Sequence, residues 1–388
     1  MTFRNKTAIA GIGETEFSKN SGRSTLHMAC EAILAALADA GLQPNDIDGI
    51  IKMSANDDIQ EIDLLRSLGL SNLRVFHDVP HGGGAACGTV TGAARAIAAG
   101  AADVIVCFRS LNERSERRFG YSKVGGGVGG YMAYNIPMGF VTPAQWVAMF
   151  GQRYLHDFGW TTEEFGHLAI LIRKHASTNP HAMMYNREID MEDYLNARWI
   201  TEPLRLFDCT LDTDGACAVV VVSAEKAKQL KSQPAYIAGA AQGTGSRTQM
   251  MTSYQRPSIS TLEEATATAN EVYRIAELDP SRIDQANLYD HFTPMVLMTL
   301  ESYGFAPRGK APDLVRSGRL GLDGDLPLNP HGGHLGDGYL HGFSHILEGV
   351  RQIRGTANNQ VKRSVKTTLA TSGTGVPTSA IILSSEAY

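Results

Sequence analysis

Paired cysteines are missing from this 388-residue chain: it has five, Cys30, Cys87, Cys107, Cys209 and Cys217, an odd number, scattered and never in a CxxC arrangement. That excludes a disulfide framework and a cysteine-based zinc site, and suggests reduced thiols in a cytosol. There is no run of eighteen apolar residues, and the N-terminus lacks a charged segment followed by an apolar stretch and a cleavage site, so neither export nor a membrane span is expected. Strong charge of one sign is absent as well. With 19% charged residues and a net charge of −5, a nucleic-acid partner is disfavoured. The glycines of Gly125–Gly130 are followed by neither GKS/T nor GxGxxG after a strand, so they read as a flexible lid and not as a phosphate loop.

What is present is alternating α/β patterning, and it occurs twice. Thr7–Gly13 reads as a buried strand ended by glycine, Ser24–Ala40 as a helix of period 3.6 with Gly41 as C-cap, and Gly49–Met53 as a strand. Tyr236–Gly243 and Leu262–Ala276 repeat that order, and the motif L-x-P-x-x-I-D recurs at Leu42–Asp48 and Leu278–Asp284. Gly82–Ile97, a glycine turn opening a small-residue helix before the strand Asp103–Phe108, has its counterpart in Gly332–Ile353. Apolar strands at Asp214–Ser223 and Gly375–Ser384 close the two halves, predicted as 1–235 and 236–388, with sheets covered on both faces. Residues 110–208 fall outside the repeat. This insert, with its glycines and the aromatic and methionine-bearing Phe140–Phe158, is expected to form a lid, a substrate pocket or a subunit contact.

The densest chemistry lies in Asn329–Gly342, with five glycines, three histidines, an aspartate and a tyrosine before the helix Phe343–Arg354. Such a loop lets a ligand approach backbone and lets N–H groups face an oxyanion. His331, His334, His341 and His345 offer HxxH and HxxxH spacing, but without an accompanying cysteine the expectation is no metal.

The order of elements resembles the thiolase superfamily, over nearly the whole chain. The resemblance implies an α/β thiolase fold, two tandem βαβαβαββ halves in αβαβα layers. Counting back from Ile97–Gly100 puts Gly83 where that family has its nucleophilic cysteine, with Cys87 four residues late. Tyr289, in Leu288-Tyr-Asp-His-Phe292, stands for the asparagine of Asn-Glu-Ala-Phe. Tyr339, after Asn329-x-x-Gly332-Gly333, stands for the catalytic histidine, and Thr371-Ser-Gly-Thr-Gly375 replaces Cys-x-Gly-x-Gly. The substitutions, together with the run Arg109–Ser115, are similar to the lipid-transfer-protein branch related to sterol carrier protein thiolases, and most similar to bacterial aldolases that shorten steroid side chains.

That resemblance implies retro-aldol cleavage of a β-hydroxyacyl-CoA, of the 17-hydroxy-3-oxo-pregnene-20-carboxyl-CoA type, to a 17-keto steroid and propionyl-CoA. It implies no permanent cofactor, CoA entering as part of the substrate, a homodimer, and a small OB-fold acyl-CoA-associated partner, with or without a zinc ribbon, completing a cytoplasmic heterotetramer. Tyr289 is assigned as base toward the alcohol and Tyr339 as the group managing the proton at the enolate carbon, roles that could be exchanged. His291, His334 and His341 are candidate helpers, and Asp290 a candidate orienting group. Gly332, Gly333 and Gly373, with His334, are candidate substrate-binding positions. Arg114, Arg117, Arg118, Arg247 and Arg256 are candidates for the CoA phosphates. Two other readings stay open: an acyltransferase using Cys87, and a non-catalytic lipid-binding or scaffold subunit.

Overall fold

The computed structural model describes residues 4–54, 59–80, 82–116, 130, 132–247, 251–252 and 254–387. Arg117, Arg118 and the proposed glycine lid up to residue 129 lie outside them.

The first half contains β1 (Thr7–Glu14), α1 (Thr25–Ala40), β2 (Gly49–Met53), α2 (Glu61–Leu68), β3 (Val75–Val79), α3 (Ala86–Ala98) and β4 (Val104–Asn112). The insert adds α4 (Met132–Asn135), α5 (Pro143–Phe158), α6 (Glu163–Thr178), α7 (Met191–Asn196) and a short ribbon of β5 (Trp199–Thr201) and β6 (Leu204–Arg205). The half closes with β7 (Asp214–Ser223) and the single turn α8 (Ala224–Ala227). The second half runs β8 (Ala235–Gly243), α9 (Glu263–Ala276), β9 (Gln285–Asn287), α10 (Thr293–Ser302), α11 (Ala311–Arg316), α12 (Phe343–Arg354), β10 (Thr367–Ser372) and β11 (Thr378–Ser384).

Nine strands form one hydrogen-bonded order, β3-β2-β4-β7-β1-β8-β11-β10-β9, in which β1, β7, β4 and β2 are mirrored by β8, β11, β10 and β9 about the β1–β8 junction, while β3 has no counterpart among the described residues. Three apolar clusters show the layering. One packs α1 and α2 on the outer face of the first half, one packs α9 to α11 on the outer face of the second, and the third holds α3 and α12 between strands of both halves. This is the αβαβα arrangement expected.

The repeated motif has a physical reason. In each copy the proline opens a 3₁₀ turn, Pro44–Asp46 and Pro280–Arg282, and the aspartate then caps the start of a neighbouring strand. Asp48 accepts from the N–H groups of Asp103 (3.0 Å) and Val104 (2.9 Å). Asp284 accepts from those of Lys366 (2.9 Å) and Thr367 (3.0 Å). Each carboxylate thereby satisfies backbone donors at the entry of a buried strand.

Two expectations change. β4 continues through Asn112, because Arg109 to Asn112 keep pairing with Cys217 to Asp214, so the insert begins beyond Ser110. The insert's long helices are also not a lid. Val147, Phe150 and Tyr154 of α5 and Phe165, Leu168 and Ile172 of α6 are buried in the core of the second half. α6 further supports the Asn329–Gly342 loop: a Cβ on Gly332 would stand 2.7 Å from Ala176 Cα, and Met183 and Met184 just beyond the helix donate to the carbonyls of Asp337 and Gly336 at 3.0 Å.

Candidate active site

Two polar side chains set the backbone that carries Tyr289. Asn329, at φ 45°, accepts from Leu288 N at 2.7 Å and donates to Leu288 O at 2.9 Å, continuing the edge of β9 with an amide. Thr371 Oγ1 at the end of β10 accepts from Tyr289 N at 2.9 Å. Tyr339 is held in the same way by Thr213, whose hydroxyl accepts from Tyr339 N at 2.8 Å. The phenols, from loops fifty residues apart, then meet: Tyr289 Oη and Tyr339 Oη are 2.8 Å apart, and both residues are buried.

Gly83 makes this meeting possible. A Cβ there would lie 2.7 Å from Tyr289 Cζ and closer still to its hydroxyl, so the tyrosine fills the space that a side chain at position 83 would occupy. Gly373 is placed against the same turn, where its Cβ would stand 2.6 Å from Gly84 Cα and Gly84 N. Gly333, at φ 56°, abuts the Asp290 carboxylate. For Gly332, Gly333 and Gly373 the structure therefore supplies packing reasons.

Burial raises both phenols above their ordinary range. For Tyr289 the bond with Tyr339 works in the opposite direction, whereas for Tyr339 that bond and the neighbouring phenol add to the rise. Both phenols are thus held more firmly in their neutral form than a phenol in water. The charges of Glu113 and Arg109 also reach the pair, Glu113 raising and Arg109 lowering both groups. Arg109 is fully buried on β4, with Nη1 3.4 Å from Met53 O. Neither Arg109 nor Glu113 was a candidate from sequence, although a charged residue directly after the apolar Val104–Phe108 was a usable signal. Thr213 carried none.

The histidines surround the tyrosines as neutral rings. His334 sits edge-on to both, with centroids 4.8 Å from Tyr289 and 4.9 Å from Tyr339, and its Nε2 accepts from Gly342 N at 3.1 Å. His291 lies 5.0 Å from the Tyr289 ring and its Nδ1 is 3.3 Å from Thr374 Oγ1; burial lowers it to about 3. His341, at φ 54°, packs 4.6 Å from Tyr339, and burial lowers it well below its usual value, as it does His334. Imidazolium assistance to a phenolate is therefore disfavoured in this site.

Asp290 is buried against the Asn329–Gly342 loop. Its Oδ1 accepts from His334 N at 2.8 Å and lies 3.1 Å from His345 Nε2, so it orients the loop and two rings. Asp290, His334 and His345 place ligand-type atoms within 4.8 Å of one another, the one such group among the described residues. His345 Nε2 also lies 2.9 Å from Leu288 O, and Leu335 N donates to Asp290 Oδ2, whereas His334 Nδ1, 3.4 Å from Asp290 Oδ1, has no hydrogen-bond partner among the described residues.

Cys87 is fully buried in α3, 3.0 Å from Ser372 Oγ, and burial pushes its thiol up to about 12, the opposite of an activated nucleophile. Among the arginines proposed for CoA, Arg256 is excluded: it is buried, pairs with Glu264 at 2.8 Å and lies over the Phe150 ring. Arg247 is exposed and Arg114 half-buried.

Layering, duplicated halves and a glycine-rich loop at the start of a central helix define a thiolase-type protein. Consistent with this, residues 243–385 match the model of the family described as Thiolase C-terminal domain-like. The chain is 52% identical over 384 residues to a steroid side-chain-cleaving aldolase of Thermomonospora curvata, covering 98% of each. To the 17-hydroxy-3-oxo-4-pregnene-20-carboxyl-CoA lyase of Mycobacterium tuberculosis it is 47% identical, covering 97% of this chain and 99% of that one. The solved structure of an Ltp2-ChsH2(DUF35) aldolase superposes with a TM-score of 0.95 at 51% identity over 99% of both chains. The chain belongs to this steroid side-chain-cleaving aldolase family of the thiolase superfamily.

Proposed function

We propose that the chain cleaves a steroid side-chain β-hydroxyacyl-CoA by a retro-aldol reaction, with the Tyr289–Tyr339 pair as its proton-handling group. The substrate class is supported by the names of the two aldolase relatives. The observation that carries the mechanism is the 2.8 Å contact between the two hydroxyls at a position where Gly83 leaves no nucleophile.

The bond that breaks joins the ring carbon bearing the tertiary hydroxyl to the carbon α to the thioester. The hydroxyl loses its proton, its electron pair becomes the ring ketone, and the C–C electron pair moves into the thioester enolate. Protonation at the α carbon then gives propionyl-CoA. No oxidant or covalent adduct is needed. Both phenols are held in their neutral form, so a relay fits better than a standing phenolate. Tyr289 takes the alcohol proton as its own passes to Tyr339, and Tyr339 delivers a proton to the enolate carbon. Neither tyrosine ends charged, which suits a buried site. Arg109 offsets negative charge that builds up during transfer.

A small OB-fold partner of the DUF35 kind, two copies on a homodimer of this chain, completes a cytoplasmic heterotetramer in this reading; the Ltp2-ChsH2(DUF35) structure supports the partner's type. The test is single-turnover cleavage by Tyr289→Phe and Tyr339→Phe, following ketone and propionyl-CoA together. Each variant loses about 10²–10⁴-fold in rate with little change in substrate binding. Full rates in both would overturn the assignment.

A further inference from the structure

Beside the Tyr339 loop lies a pocket of about 390 Å³, room for several water molecules. Its walls include Glu14, Asn179, His331, Asp337, Glu348 and Arg351, contributed by the end of β1, the segment after α6, the catalytic loop and α12. Of these, three carboxyls face one guanidinium, whose charge reaches all three. Arg351 is committed to Glu14, with Nη2–Oε1 at 2.6 Å. Asp337 and Glu348, both buried, are left with only amide donors: Asn179 Nδ2 at 3.4 Å from Asp337 Oδ1, and Gln352 Nε2 at 2.7 Å from Glu348 Oε1.

An independent feature points the same way. His331 lines the cavity, is 4% exposed, and neither of its ring nitrogens has a hydrogen-bond partner. A buried imidazole without partners forgoes the stabilisation that buried polar groups ordinarily find. It can offer one acceptor nitrogen beside the two carboxyls.

We propose that this cavity is a binding site for a small organic cation carrying N–H donors, a primary ammonium or guanidinium, held by Asp337, Glu348 and His331. Such a ligand supplies at once a positive charge against which the two carboxyls can ionise and N–H donors for them and for His331, whereas a quaternary ammonium supplies only charge. Burial and the surrounding acidic groups keep the Asp337 carboxyl well above its usual range, and Glu348 at about 7; both would ionise against a bound cation. Asp337 stands two residues before Tyr339, and Asn179 Nδ2 also donates to His331 O at 2.9 Å, so occupancy stiffens the segment that carries the phenol.

The experiment titrates the purified chain, alone and with its partner, with propylammonium and methylguanidinium, monitoring Tm and heat of binding. Tetramethylammonium and potassium at the same ionic strength serve as controls. Propylammonium or methylguanidinium at about 10 mM raises Tm by about 2 °C or more, the controls do not, and Glu348→Gln and His331→Phe each weaken binding by about ten-fold. Equal shifts with the controls, no shift with either N–H cation, or undiminished binding in Glu348→Gln would overturn the proposal. Glu348→Gln keeps the shape and the bond to Gln352, and circular dichroism checks that both variants are folded.

Discussion

Gly83→Ala is the most incisive single substitution for the tyrosine pair, because it changes neither phenol. The added methyl would lie 2.7 Å from Tyr289 Cζ, against a normal separation of roughly 3.5 Å or more, with the hydroxyl closer still. The ring must then retreat by about 1 Å. Backing is rigid: Tyr289 is fixed through its N–H to Thr371, and His291 and His334 pack beside its ring. A retreat of that size lengthens the 2.8 Å contact with Tyr339 beyond hydrogen-bonding range. Misplacement by about 1 Å costs about 10²-fold in rate, or about 3 kcal/mol of transition-state stabilisation. Overpacking itself costs about 1–3 kcal/mol of stability. The assay is kcat and KM for ketone release beside urea denaturation, for Gly83→Ala, Tyr289→Phe and the double variant. The double variant should recover part of the lost stability, since the closest atom is gone, and none of the rate. If Gly83→Ala keeps at least half the wild-type kcat, the idea that Tyr289 fills the former nucleophile space is wrong.

Cys87→Ala should retain lyase activity within about three-fold, since its thiol is buried and held above the range of a reactive group; abolished turnover in a folded Cys87→Ala protein would restore the acyltransferase reading. Asn329→Ala removes both bonds to buried Leu288 and should destabilise the fold by about 2–4 kcal/mol in denaturant titrations, with an equal or larger effect on kcat. For Glu348 the folded carboxyl is raised from 4.5 to about 7, so its contribution to stability is fully present below pH 4.5 and is lost as pH rises toward 7. Glu348→Gln should therefore gain on the wild type between those values, by at most roughly 3 kcal/mol, and a difference independent of pH would contradict the burial argument.

The repeat was legible because its signals are local. An aspartate closing L-x-P-x-x-I-D, a C-cap glycine or a periodic apolar face acts within a few residues of where it is written, and β2 and α12 match their predicted bounds. The placement of the insert was not, because α5 and α6 pack against α10 and the Asn329–Gly342 loop more than a hundred residues away, through apolar faces that would suit a lid equally well. At the site, Tyr289 and Tyr339 stood out through family resemblance alone. Four histidines looked like chemistry, but desolvation makes several of them poor proton acceptors, and that depends on total burial, which no spacing reveals. Arg109 shows the reverse, a buried strand residue whose charge reaches Tyr289 and Tyr339 only in the folded chain.

The contact of Gly373 with Gly84 brings the second half against the turn that seats Tyr289. Neither half contains the site: Gly83 comes from one, both phenols from the other, and Thr213, which holds Tyr339, from the first again. The proposed site is therefore complete only once the two halves have docked. The first half alone carries neither tyrosine and the second alone lacks Gly83 and Thr213, so turnover becomes a direct report that the two copies have docked.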